Sequence, residues 1–252
     1  MGGMFDVTGR VALVTGGRRG LGRAMTLGLV AAGAQMAVAA RSPEAADLQR
    51  EVQALGGKLF YLPVDLTDRE ARHGLVGRVV AHYGRLDILV NSAGLQAQAP
   101  AESYPQSTWD LDLELLLTAV LDLSQQAAPV MAAQGGGKII HIASTSSFQG
   151  ARRIIGYATA KHGLVGLTRC MANEWAARGI NVNAIAPGVF ETDMAAGLTS
   201  DPVRAEEMKG RIPAGHFGRP EDMVGPLLFL ASDASRHVHG HVLLVDGGWM
   251  GR

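Results

Sequence analysis

Seven short runs along this chain are apolar almost from end to end: RVALVT, AQMAVAA, KLFYLPVDLT, LDILVNSAG, GKIIHIAS, INVNAIAPG and HVLLVDGG. A strand with water on one face alternates apolar and polar residues. A run that does not alternate is covered on both faces. Between the runs lie segments with helical spacing. LGRAMTLGLVAAG stops on Gly33, and SPEAADLQREVQALGG opens on Ser-Pro and stops at a glycine pair, which are helix stop and start signals. DREARHGLVGRVVAHYG reads as another helix, and a long one spans Gln106 to Ala133. Strands alternating with helices imply an α/β fold, a doubly wound parallel sheet with helices on both faces. No internal repeat, low-complexity tract or linker interrupts residues 1–252, so a single domain is expected. One segment, around 190–215, departs from the alternation and is expected to form an excursion above the sheet, where substrate lids often lie.

Charge and cysteine content narrow the function classes. Lys+Arg 23 balances Asp+Glu 23, so bulk charge points to no nucleic acid partner. The single cysteine, Cys170, forms no internal disulfide and fits a reducing compartment. It is expected to be a packed helix residue and not a nucleophile. MGGMFDVTGR lacks a basic region followed by an apolar run, and LVAAGAQMAVAA is too short and mixed to span a bilayer. The expectation is a soluble, cytoplasmic protein with no membrane partner.

Ligands of open parallel sheets bind at the carboxyl ends of the strands, near the point where strand order reverses. The first strand runs into TGGRRGLG, residues 15–22. Gly16, Gly20 and Gly22 permit a tight turn and close backbone approach, and the following helix N-terminus favours phosphate. Arg18, Arg19 and Leu21 complete the loop. The spacing T-G-x-x-x-G-x-G differs from the common G-x-G-x-x-G, and an ordinary glycine-rich βα loop is the alternative. The second strand ends Ala39-Ala40-Arg41-Ser42. An NAD site usually places an acid near Ala40 to bind the ribose. Arg41 instead suits a 2′-phosphate through charge-assisted hydrogen bonds, and Arg19 is placed to join it. This predicts NADP(H), against the alternative of two solvated arginines.

Tyr157 and Lys161, in GYATAKHG, stand one helical turn apart and share a face. Ser144 closes the preceding apolar run. A phenol titrates near 10 in water, and the Lys161 ammonium with an oxidised nicotinamide would favour the phenolate. Ser144 can hold the substrate oxygen. The trio suits the interconversion of an alcohol and a carbonyl compound, a small-molecule substrate.

With TGGRRGLG, Asp65, NSAG from Asn91, Ser144, Tyr157-x-x-x-Lys161 and Pro187-Gly188 in order, the chain resembles the short-chain dehydrogenases/reductases over nearly its whole length. That resemblance implies a Rossmann-type sheet of about seven strands and hydride transfer with a nicotinamide cofactor. It implies that Asp65 and Leu66 lie near the adenine, and that Asn91, Ala93 and Gly94 lie beside the cofactor. Lys161 would grip the nicotinamide ribose. Pro187, Gly188, Val189 and Thr192 would flank the carboxamide. It also implies a homotetramer built through the two long helices and the C-terminal strand region. The C-terminal half is similar to the sugar-acid dehydrogenases of the family, whereas the stretch from the glycine loop to Asp65 looks less NAD-like than theirs. The resemblance leaves open a sugar acid or related keto acid, a general ketone, a 3-oxoacyl thioester, or a dinucleotide-binding protein with little catalysis.

Several residues carry smaller expectations. Arg152 and Arg153 are candidate partners for a substrate carboxylate, or exposed loop charges. His141 reads as structural, and Trp109, Trp175 and Trp249 as packing residues. Family members usually carry an asparagine at the position of Leu116, where it helps hold a proton-relay water. Leucine offers neither donor nor acceptor. A rerouted relay through Asp112, one turn earlier, is expected if that side chain turns inward. The ribose hydroxyls and water at the pocket mouth are the alternative route.

Overall fold

The seven apolar runs form one all-parallel sheet in the computed structural model, which describes residues 3–195 and 201–252. The strands are β1 (Val11–Thr15), β2 (Gln35–Ala40), β3 (Leu59–Pro63), β4 (Ile88–Asn91), β5 (Gly137–Ile142), β6 (Ile180–Pro187) and β7 (Val242–Val245). Their order is β3-β2-β1-β4-β5-β6-β7. β1 pairs with β2 on one side and β4 on the other, so the winding reverses between β1 and β4.

Side chains alternate across the sheet and feed two cores. Ala12, Val14, Met36, Val38 and Ile140 face one layer, packed against Met25 and Leu29 of α1 (Gly20–Ala31) and Leu48 and Val52 of α2 (Ala46–Ala54). Leu13, Ala37, Leu89, Ile139 and Val182 face the other layer, built by Met171 and Ala172 of the helix Ile155–Trp175 and by two helical regions described next.

Both of those regions depart from uniform helix. The segment 68–84 breaks into α3 (Arg69–Arg72) and α4 (Leu75–Tyr83). Asp68 caps α3 by accepting from the Glu70 and Ala71 amides at 3.0 and 3.2 Å. Gly74 then turns the chain at φ 70°, a conformation open to glycine. The long helix Gln106–Ala133 forms over the expected residues, but as α5 (Gln106–Leu113), a π-turn at Glu114–Thr118, and α6 (Ala119–Ala133). By length and composition alone this helix is apolar enough to cross a membrane; here Ala119, Leu123, Ala127 and Met131 pack on the sheet.

The remaining helices are α7 (Ile155–Trp175), α8 (Pro202–Lys209) and α9 (Val224–Ala231). The excursion expected around 190–215 contains α8, whose Ala205 packs with Ile212, Phe217, Val189 and Trp249; its residues 196–200 lie outside the described residues. Trp249 is a packing residue, as expected. Cys170 is not: it lies on the exposed side of α7, because its face of that helix points away from the sheet.

A buried arginine ties these parts together. Arg72 is 1% exposed. It donates to the Leu66 carbonyl at 2.7 Å, pairs with Glu114 at 2.6 Å and pairs with Asp122. It thus locks α3 to the π-turn and to α6. Removing one member of a buried ion pair strands the others. Arg72→Ala is expected to lose about 3 kcal/mol of stability, read as a lower urea midpoint. Arg69→Ala, which removes only the outer arginine on Glu114, is expected to move the midpoint far less.

Candidate active site

The glycine loop is built by close approach. Thr15 ends β1, and its hydroxyl accepts from the Ser92 and Ala93 amides at 3.0 and 3.1 Å. This pins the base of the loop to the end of β4. A Cβ on Gly16 would sit 2.7 Å from the Ala93 Cα, and one on Gly22 would overlap the Gly16 carbonyl oxygen. Only glycine fits either position. Arg19 is the N-cap of α1, with extended backbone and no side-chain cap, so the first amides of a twelve-residue helix face the cleft with capacity for an anion. Gly20 and Leu21 open that helix, and Thr192, from the segment after β6, lies against Gly20.

The end of β2 is basic. Arg41 and Arg19 are both exposed. Arg18 is committed to the loop after β2, donating to the Glu44 carbonyl at 2.9 Å and standing 3.5 Å from Asp47. Tyr61 donates to the Ser42 carbonyl at 2.7 Å and holds the loop to β3. Asp65 accepts from the Thr67 amide and hydroxyl at 2.9 and 2.7 Å. Those bonds, with the nearby Arg41 charge, keep its carboxyl below the usual range. Leu66 beside it is buried.

Asn91 is buried at the end of β4. Its amide reaches Ser124 at 3.4 Å, and its Oδ1 has no partner. The chain continues from Ser124 to His141 at 3.3 Å and on to Thr168 at 2.9 Å. Burial pushes His141 down to about 3, so it is a neutral strut between α6 and α7, the structural role expected. Ala93 and Gly94 follow in the loop, where Gly94 faces Leu116. Pro187 ends β6, Gly188 crosses close over Asp246, and Val189 packs on Ile212 and Phe217.

Ser144, Tyr157 and Lys161 converge beside this cleft. They are 8%, 8% and 6% exposed. Ser144 caps the turn Thr145–Ser147 at the end of β5, accepting from the Ser146 amide at 3.0 Å. Lys161 donates to the Ile142 carbonyl at 2.5 Å and stands 5.6 Å from the Tyr157 ring centre. Burial pushes Lys161 down to about 8. Burial pushes the Tyr157 phenol up, the nearby Ser144 hydroxyl pulls it down, and a negative charge on Asp112 pushes it up again. A phenol so placed can give a proton to a carbonyl oxygen or take one from a hydroxyl, with Ser144 orienting that oxygen.

Leu116 sits in the π-turn, buried with Ile154, Tyr157 and Ala160. Asp112 turns inward. It has no exposed surface, and its Oδ2 accepts from the Tyr104 hydroxyl at 2.6 Å. Nothing in the sequence pattern signals Tyr104, which lies in a loop eight residues away. Arg152 and Arg153 line a groove of about 450 Å³ with Ala101, Ile155, Thr159 and His162. On α7 the groove is lined by Ile155, Ala158, Thr159 and His162, and both arginines, which precede that helix, are exposed.

The family model described as Enoyl-(Acyl carrier protein) reductase matches residues 16–250. The chain is 45% identical over 249 residues to 2-dehydro-3-deoxy-D-gluconate 5-dehydrogenase of Escherichia coli K12, covering 98% of each. It is 38% identical to the 3-oxoacyl-[acyl-carrier-protein] reductase of Thermotoga maritima, covering 95% of this chain and 97% of that one. The structure of gluconate 5-dehydrogenase from Burkholderia cenocepacia J2315, in complex with NADP and tartrate, superposes with a TM-score of 0.94 at 36% identity, covering 99% and 98%.

The loop geometry carries its own test. Gly22→Ala forces the loop off Gly16, and dinucleotide affinity is expected to fall by about tenfold or more, a loss of roughly 1.4 kcal/mol. Quenching of tryptophan fluorescence would report it. Gly77→Ala, on the open side of α4 with no neighbour within 4 Å, is expected to bind normally and gain up to about 1 kcal/mol of stability.

Proposed function

This chain belongs to the short-chain dehydrogenase/reductase family, and on that footing we propose that it interconverts a secondary alcohol and a ketone on a sugar acid, using NADP(H). The observation that carries this reading is the convergence of Tyr157, Ser144 and Lys161 in one buried cluster at the carboxyl edge of the sheet.

The cradle made by Gly16 and Gly22 fits a pyrophosphate, which the amides at the start of α1 would bind. Arg41 and Arg19 would take the 2′-phosphate; Ala40 presents no acid to repel it. Asp65 and Leu66 would border the adenine. Asn91, Ala93, Gly94, Pro187, Gly188, Val189 and Thr192 would border the nicotinamide half. When bound, NADP(H) supplies or accepts the hydride. Tyr157 exchanges the proton with the substrate oxygen, Ser144 orients that oxygen, and Lys161 holds ribose hydroxyls and places a positive charge near the phenol. The sugar-acid substrate class rests on the names of relatives 43% and 45% identical to this chain, and on the gluconate 5-dehydrogenase solved with NADP and tartrate. The Thermotoga relative supports a second reading, reduction of a 3-oxoacyl thioester. A homotetramer in the cytoplasm belongs to the same proposal. It is consistent with β7 forming a sheet edge, with Leu244 41% exposed.

Charge-assisted hydrogen bonds are worth roughly 1.5–3 kcal/mol each. Arg41→Ala is therefore expected to weaken NADPH by about tenfold or more and leave NADH unchanged, by titration calorimetry. Equal or tighter NADH binding by the unmutated protein would overturn the cofactor assignment. Tyr157→Phe is expected to keep NADPH affinity and to lose about 10²–10⁴-fold in turnover. The assay is a panel of sugar acids, simple ketones and oxoacyl thioesters with each dinucleotide, and substantial turnover by Tyr157→Phe contradicts the mechanism.

A further inference from the structure

Buried carboxylates in proteins are normally paired. Asp87 follows that rule, bound by Arg85 at 2.6 Å and by the Val11 amide at 2.8 Å. Asp112 does not. It has no exposed surface, and no lysine, arginine or histidine among the described residues forms an ion pair with it. One oxygen accepts the Tyr104 hydroxyl at 2.6 Å; the other has no partner. The carboxylate presses on the Gly156 peptide so closely that a Cβ there would overlap it. The next residue is Tyr157.

The surroundings give this charge reach. Leu116, Ile154 and Ala160, which pack with Tyr157, are apolar, and charges in such surroundings are weakly screened. The titratable groups around Asp112 are Tyr104, from the loop before α5, and Tyr157 on α7, with Lys161 beside Tyr157; burial raises the Asp112 carboxyl, and the Tyr104 hydrogen bond opposes that rise. The Tyr104 phenol is pushed up to about 12 by burial and by its bond to Asp112, so it remains a donor. Lys161, at about 8, is charged at neutral pH and loses its charge as the pH rises toward the range where a phenol ionises.

We propose that Asp112, clamped by Tyr104, is a positioning residue for proton transfer, whose charge holds Tyr157 as a phenol to higher pH and so widens the range in which the site reduces ketones. The inference rests on the reading of Tyr157 as the proton carrier. In that step the ketone carbon accepts a hydride from NADPH and its oxygen accepts the Tyr157 proton. The phenolate left behind is reprotonated from solvent, and the Asp112 charge favours that return.

The test reads Tyr157 without needing a substrate. The ultraviolet tyrosinate signal is titrated in the full-length protein and in Tyr157→Phe, and the difference isolates one of the four tyrosines. Repeated in an Asp112→Asn background, the Tyr157 signal is expected to appear at lower pH. At a fixed alkaline pH where the phenolate is still minor, it should rise by about threefold or more. Asp112→Ala, which is smaller and cannot clash, is expected to act alike. Tyr104→Phe breaks the same hydrogen bond but keeps the charge, so the Tyr157 signal should not move to lower pH. An unmoved Tyr157 titration in both Asp112 variants overturns the proposal, and so does an equal downward shift in Tyr104→Phe. With 5-dehydro-D-gluconate and NADPH, the alkaline fall in reduction rate should begin at lower pH in Asp112→Asn. If neither that substrate nor gluconate turns over, the sugar-acid reading fails, while the titration still decides the role of Asp112.

Discussion

The parallel pairing of β1 with β4 is the constraint on which the rest of the molecule depends. Thr15 and Asn91 stand side by side in that register. Because the winding reverses there, no helix covers the carboxyl ends of these two strands, and a cleft opens between the loops that leave them. The Thr15 hydroxyl then binds the amides of Ser92 and Ala93, so the glycine loop and the loop after β4 are held as one surface.

The buried polar groups beside this cleft are held in different ways. Lys161 reaches the Ile142 carbonyl, His141 is satisfied by Ser124 and Thr168, and Arg72 by two carboxylates and a carbonyl. Each spans two elements, so each sets the spacing of a helix against a strand or another helix. Asp112 differs in having only a phenol for a partner. Its place beside Tyr157 makes it part of the site's electrostatics as well as its packing. The π-turn belongs to the same design: it starts at Glu114, drawn toward Arg69 and Arg72, and carries Leu116 inward against Tyr157. π-turns inside helices are frequent at functional sites.

The cofactor end and the substrate end of the cleft carry different kinds of information. At the cofactor end, backbone geometry and a few arginines match a phosphate-rich ligand whatever the reaction. At the proposed substrate end, the trio suits proton exchange with a substrate oxygen but leaves the carbon skeleton open. The arginines at 152 and 153 are exposed and line a groove before and along α7.

The amino-acid sequence determined by itself the parallel sheet, its strands, the glycine loop and the residue types of the trio. These follow from local regularities: runs apolar on both faces, glycines where a side chain would collide, and a tyrosine and lysine at helical spacing. Only the tertiary structure decided which distant groups meet. It placed Asp112 inward against Tyr104 and Gly156, committed Arg18 to the loop after β2, and exposed Cys170. It also placed a π-turn within a helix whose sequence holds no glycine or proline there, and broke another helix at Gly74. The physical reason is that burial and pairing depend on what another element brings to a side chain, which local spacing does not encode. Asp112 is the clearest case. Its helix position makes one face available, but its charge acts on Tyr157 only because α5 packs on α7 where residue 156 has no side chain.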